Sequence, residues 1–236
     1  MRNPSGERLA ARVSDTGSSP FVLLVHGFTA SKDSNFFPAL FERLRASVSV
    51  VAMDLSAHGE SEGRFSDMTI PKLEADIETV IEEHARARPI VIVGHSMGGA
   101  LAYRLAARRD DVVGLVLLAP GFEVRSGFLS RLEVRAIERG EVSFTDGFGR
   151  ERTVSGAFFE SRRHDALDLA GDVRSPTFII CAELDYTISN DRCAQVAEAL
   201  EDARFELIEG VGHTFDDTDA RIGPLIEAFL SSVDSG

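Results

Sequence analysis

The stretch IVIVGHSMGGALAYRLAA, from Ile90 to Ala107, sets four apolar strand formers directly against a glycine-flanked serine and then against a helix rich in alanine and leucine. An uninterrupted apolar run ended by glycine reads as a strand buried on both faces. In GHSMG the strand must end and the helix begin within one residue. A turn that sharp strains the backbone at Ser96 and admits only small neighbours, which accounts for Gly94 and Gly98, while Gly99 lets the helix lie close to the sheet. A serine hydroxyl is a poor nucleophile at neutral pH, so an enzyme that uses one must expose it, place a base beside it and supply donors for the oxyanion that forms. The turn provides the exposure. The helix N-terminus directs N–H groups and a positive dipole end to the same place.

Outward from this junction the chain alternates strands and helices. RLAARVSD predicts a short strand and PFVLLVHG a buried one; NFFPALFERLRA spaces Phe37, Leu40, Phe41 and Leu44 by three and four, as a helix does. Pro38 is tolerated in the first turn of that helix. SVSVVAMD is the next strand, and TIPKLEADIETVIEEH puts Leu73, Ile77, Val80 and Ile81 on one helical face. After the Ser96 unit come strand VVGLVLLAP, a variable stretch, strand PTFIICAELD, helix NDRCAQVAEALE, strand ARFELIEG and a last helix around DARIGPLIEAFLSSV. This alternation specifies an α/β fold with a mostly parallel sheet flanked by helices on both faces. Such sheets bind ligands at the carboxyl ends of their strands.

The chain has 236 residues, 44% hydrophobic and 27% charged, which suits one sizeable globular domain spanning residues 1–236. A net charge of −13 disfavours nucleic acid and anionic lipid as partners. Cys181 and Cys193, the only cysteines, fall in strand and helix patterns, so reduced thiols are expected rather than a disulfide or a thiolate metal site. The first 20 residues lack the apolar core of a signal peptide, and no run approaches the roughly 18 apolar residues of a membrane span. A cytoplasmic protein is the default expectation. A homo-oligomer stays open beside a monomer.

Residues 121–174 break the rhythm. They contain a predicted helix at FLSRLEVRAIE, a hairpin at EVSFTDGFGRERTV with Asp146 and Gly147 as its turn pair, and a helical SGAFFESRR. Six of the sixteen phenylalanines lie here, which fits either an apolar cover for a pocket or a small subdomain burying its own rings.

HGFTASKDS, DLSAHGES, GHSMGG, AELD after a late strand and GVGH near the end occur in an order that resembles the α/β-hydrolase superfamily, in particular small serine esterases, monoacylglycerol lipases and cinnamoyl or feruloyl esterases. The resemblance spans Phe21 to the C-terminus. It implies an α/β-hydrolase fold with a central sheet of seven or eight strands, the lower number favoured because the first 20 residues leave room for one clear strand, and a cap or lid at 121–174. It also implies the chain order serine, acid, histidine. His213 is the one histidine beyond Asp185, so Ser96, Asp185 and His213 are the expected catalytic residues, with Glu183 and Glu123 as substitute acids. Backbone N–H groups of Phe28 and Met97 are the expected oxyanion donors.

Structural roles are expected for His26 and His58 and for the loop from Asp54 to Ser61, packing for His95, and surface or helix positions for His84 and His164. Two departures from the family pattern stand out: Ala57 replaces a glycine of the Asp54 loop, and Ala182 replaces a small glycine near the acid. The activity implied is hydrolysis of a small-molecule carboxylic ester, with short-to-medium or aromatic acyl group, through an acyl-enzyme and without metal or organic cofactor. The same residues would serve a thioesterase, a small-amide hydrolase or an acyltransferase, and the fold without turnover would serve as a small-molecule-binding module.

Overall fold

A computed structural model describes residues 1–162, 165–216 and 218–233; the helix or surface position expected for His164 lies outside the described residues. The strands are β1 (Ala11–Ser14), β2 (Phe21–Val25), β3 (Val50–Met53), β4 (Ile90–His95), β5 (Val112–Leu118), β6 (Glu141–Thr145), β7 (Glu151–Ser155), β8 (Thr177–Ala182) and β9 (Ala203–Ile208). The helices are α1 (Phe37–Leu44), α2 (Ile70–His84), α3 (Met97–Ala106), α4 (Gly127–Arg139), α5 (Gly156–Ser161), α6 (Asn190–Ala199) and α7 (Asp219–Val233). No described helix is long and apolar enough to cross a membrane.

Among the described residues, seven strands form one sheet in the order β1-β3-β2-β4-β5-β8-β9. All neighbours are parallel except β1, which pairs antiparallel with β3 from Ala11 opposite Met53 to Ser14 opposite Val50. The predicted α/β-hydrolase architecture is thus the observed one, with the lower of the two strand counts. Every residue of β2, β3, β4 and β8 is buried, because helices cover both faces. On one face α1 contributes Phe37, Leu40, Phe41 and Leu44 and α7 contributes Ile222, Ile226 and Leu230. On the other, α2, α3 and α6 pack beside residues of the 121–174 stretch. The apolar spacings in α1 and α2 anticipated this, and Thr69 caps α2 by accepting the Lys72 N–H.

The chain runs from β2 outward to β3, then returns across β2 to β4. The strand order therefore reverses between β2 and β4, and a crevice opens beyond their carboxyl ends. The loop after β2 carries Gly27 and Phe28, and Ser96 follows directly on the end of β4.

Between β5 and β8 lie α4, the antiparallel pair β6–β7 and α5. The hairpin differs from a tight Asp-Gly turn. Its loop runs from Asp146 to Arg150, the left-handed residue is Gly149 at φ 77°, and Asp146 is a buried anchor whose Oδ1 accepts the Phe148 and Arg150 amides. An aspartate that accepts from backbone two and four residues on closes a wider loop than the two-residue turn its neighbour suggests.

Candidate active site

Ser96 has φ 52° and ψ −115°, a conformation that an L-residue holds only under constraint. Its constraints are visible. The Ser96 N–H donates to Leu118 O on the neighbouring strand at 2.9 Å, and its carbonyl accepts from Ala100 N at 3.1 Å and Gly121 N at 2.8 Å. A Cβ on Gly94 would sit 2.5 Å from Gly98 O, and one on Gly98 would collide with the carbonyls of Val25 and His26, at 2.5 Å from the latter. Gly94 thus admits the turn, whereas Gly98 admits the end of β2 against it.

The side chains of Ser96, His213 and Asp185 meet. His213 Nε2 lies 3.1 Å from Ser96 Oγ, and Nδ1 lies 2.7 Å from Asp185 Oδ2. Asp185 is fully enclosed, and its other oxygen accepts the amides of Thr187 at 2.7 Å and Ile188 at 2.9 Å. Burial alone would raise this carboxyl, but the bond and charge of His213 and the two amides outweigh it, so Asp185 sits below its ordinary value. The two substitute acids are elsewhere: Glu183 is exposed and accepts the Gly210 amide at 2.8 Å, and Glu123 is an exposed residue whose backbone carbonyl accepts from Ser189 N.

Phe28 follows a peptide fixed by its carbonyl. Gly27 O accepts from His26 Nδ1–H at 2.8 Å and from Ala30 N at 3.3 Å, so the Phe28 N–H of the same trans peptide faces the opposite way. Among the described residues neither the Phe28 nor the Met97 amide has a protein acceptor, and both residues line the cavity that opens at Ser96.

Three buried histidines hold this framework. His26 Nε2 accepts the Leu55 amide at 3.1 Å, and His58 Nε2 accepts the Thr29 amide at 3.2 Å while its Nδ1–H donates to Ser56 O. Burial pulls His26 down and His58 well down from the usual range, so both remain neutral donor-acceptor pairs, the structural role expected of them. His95 packs edge-on against Phe36 and Phe215, as its sequence position implied, but also donates Nε2–H to the carbonyl of His213 at 2.8 Å. Burial, and then the neighbouring His213, push His95 down to about 3. That bond ties the His213 loop to the strand end carrying Ser96. No sequence signal distinguished it from packing.

The Asp54 loop is structural. Its carboxylate accepts from the Lys32 amide at 2.7 Å, from Lys32 Nζ at 2.9 Å and from the Glu60 amide at 2.9 Å, which binds the loop after β3 to the one after β2. Ala57 keeps a left-handed backbone, φ 65°, without the glycine that would suit it.

The cavity measures about 270 Å³. It runs along α3 from Met97 to Arg104, roughly 10 Å at 1.5 Å per residue, and is also lined by Phe122, Leu129, Phe158 and Phe159 from the 121–174 stretch. Phe144 instead packs on Phe28, Phe65 and Phe128, and Phe128 and Phe148 are exposed. Residues of the ring-rich stretch therefore both line the cavity and pack on one another.

Residues 22–222 match the family described as "Alpha/beta hydrolase family". The chain is 32% identical over 116 residues to the dihydrolipoyllysine-residue acetyltransferase component of an acetoin cleaving system from Cupriavidus necator, a match covering 48% of this chain and 30% of that protein. It is 32% identical over 121 residues to a pimeloyl-[acyl-carrier protein] methyl ester esterase from Xylella fastidiosa, covering 50% of this chain and 44% of the relative. The chain thus spans less than half the length of these relatives. Among solved structures, Est1E from Butyrivibrio proteoclasticus with ferulic acid bound superposes with a TM-score of 0.79 at 20% identity, over 98% of this chain and 97% of that one. At that identity the likeness is one of fold.

Proposed function

This chain belongs to the alpha/beta hydrolase family, and from that premise we propose that it is a serine esterase acting on small carboxylic esters with a short-to-medium aliphatic or single-ring aromatic acyl group. The observation that carries the proposal is the continuous hydrogen-bonded line from Asp185 Oδ2 through His213 to Ser96 Oγ, at 2.7 and 3.1 Å. The site lies at the strand-order reversal where the fold opens its crevice.

Ser96 Oγ attacks the ester carbonyl carbon as His213 Nε2 takes the hydroxyl proton. The enclosed Asp185 carboxylate accepts Nδ1–H, fixes the imidazole tautomer and stabilises the imidazolium. The amides of Phe28 and Met97 receive the oxyanion. Collapse of the tetrahedral intermediate breaks the bond to the alkoxy oxygen, which leaves as alcohol with the proton from His213. A water then gives its proton to His213 and attacks the acyl-serine; the acid departs and Ser96 regains its proton.

A volume of about 270 Å³ sits just below the roughly 300–1,000 Å³ usual for drug-sized ligands, which supports a short or single-ring acyl group over a long lipid tail. A relative named for methyl ester hydrolysis and a fold neighbour with ferulic acid bound are consistent with ester substrates.

The test combines a fluorophosphonate probe with nitrophenyl esters of increasing chain length, beside feruloyl and monoglyceride esters. Labelling is expected on the peptide holding Ser96 and absent in His213→Ala, with turnover falling beyond medium acyl chains. Ester turnover surviving in Ser96→Ala would end the proposal.

A further inference from the structure

We propose that Arg150, in the turn of the β6–β7 hairpin, is a positioning residue for the oxyanion-binding loop, so that the insertion helps build the reaction centre as well as covering it. The inference rests on the reading that the Phe28 amide receives the oxyanion.

Thr29, directly after Phe28, has φ 62°, a left-handed conformation that its β-branched side chain opposes. Local sequence does not favour such a state, so neighbours must impose it. Two bonds do. His58 Nε2 accepts the Thr29 N–H at 3.2 Å, and Arg150 Nη2 donates to Thr29 O at 2.7 Å. The first comes from the body of the fold. The second comes from the insertion, 121 residues along the chain.

Arg150 is itself aimed. Its Nε donates to Asp146 Oδ2 at 2.8 Å, and its guanidinium lies over the Phe148 ring at 4.7 Å from the centroid. The Asp146 side chain is fully enclosed, accepts two backbone amides through Oδ1 and also takes Arg152 Nε at 3.2 Å. One nitrogen of a planar guanidinium is therefore fixed on the hairpin while another reaches the loop. Lysine, with a single compact ammonium, cannot hold both partners in that geometry.

The same hairpin grips Phe28 through its ring. Phe144 stacks on Phe28 at 6.0 Å and 13°, and Phe158 from α5 stacks at 5.5 Å and 20°. The Phe28 ring and the Thr29 carbonyl, which both follow directly on the amide that must point at the oxyanion, are thus each held by a residue of the hairpin. The Arg150 side chain is 41% exposed, and without its guanidinium the enclosed Asp146 carboxylate still keeps Arg152 Nε and two backbone amides, so it is not left as an unpaired buried charge. Its effect lies in where Thr29 is held.

The experiment compares Arg150→Ala, Arg150→Lys and Ser96→Ala in full-length protein on a nitrophenyl ester, reading kcat, KM and the thermal midpoint, with and without added guanidinium or methylammonium chloride. A small displacement of an oxyanion donor costs on the order of 10- to 100-fold in rate. Arg150→Ala is expected to lose that much in kcat while KM changes by less than about 3-fold and the midpoint by only a few degrees. Guanidinium at tens of millimolar should restore part of kcat; methylammonium should not, and Arg150→Lys should stay low. Unchanged kcat in Arg150→Ala, while Ser96→Ala is dead, overturns the inference and leaves the esterase reading intact. A loss that guanidinium does not rescue and that tracks a large fall in midpoint also overturns it, since that marks a loosened hairpin. Full activity in Ser96→Ala overturns the reading of the site beneath it.

Discussion

Ser96 is held by sterics as much as by bonds. Because a Cβ on Gly98 would enter the carbonyls ending β2, Gly98→Ala must push the α3 terminus from the sheet. Its expected cost is about 1–3 kcal/mol, with ester turnover lost beyond what the remaining folded fraction explains; circular dichroism melts with active-site titration check this. The role proposed for Asp185 is separable in the same way. Asp185→Asn keeps an acceptor for the Thr187 and Ile188 amides but cannot fix the imidazole tautomer, so kcat should fall on the order of 10³- to 10⁴-fold. Glu123→Gln and Glu183→Gln should stay within about 2-fold, because neither side chain contacts His213 and outward-facing changes of this kind are nearly neutral. A larger loss in either glutamate variant than in Asp185→Asn would reassign the acid. At this scale much was legible: a serine between glycines, strand before and helix after, has one mechanical explanation. The bond from His95 to the His213 carbonyl was not, because it joins residues 118 apart.

Elements followed their patterns where one face is buried. Phe37, Leu40, Phe41 and Leu44 specify α1 and the same spacing gives α2, whereas β2, β3, β4 and β8, buried on both faces, are read from unbroken apolar runs. The β6–β7 turn escaped because Asp146 is spent on anchoring a five-residue loop, a role set by Arg150 and Arg152 and invisible in an Asp-Gly pair. The Asp54 loop shows the reverse, a strained element legible from a substitution. Ala57 at φ 65° carries a left-handed penalty of about 1–2 kcal/mol, partly offset by the extra chain entropy that glycine loses on folding. Ala57→Gly should therefore raise stability by up to about 1 kcal/mol, a shift of about 2–4 °C for a domain this size, with kcat unchanged. A lower midpoint would mean the alanine methyl contributes packing that exceeds the strain.

At the scale of the molecule, burial of neutral histidines sets the acid limit. His26, His58 and His95 all lie below the ordinary value of 6.5 in the folded state, His95 at about 3. Above pH 6.5 each is neutral folded and unfolded and contributes no slope. Below it the unfolded chain takes up protons the folded one refuses, so each histidine removes about 1.4 kcal/mol per pH unit until its folded value is reached. Asp76, raised by burial, offsets part of this toward the acid end. Urea midpoints should fall steeply from pH 6.5 to 4, and His95→Gln should flatten that slope; equal slopes in parent and variant would show that His95 is not held neutral. The sequence by itself determined the alternation, hence the parallel sheet, and the elbow that exposes Ser96, because local sterics and burial periodicity are written within a few neighbouring residues. Only the tertiary structure decided which acid reaches His213, what His95 holds and how Arg150 grips the loop after β2. Those partners lie 28 to 121 residues apart, and a hydrogen bond is fixed by where folding brings two atoms, which no local pattern encodes.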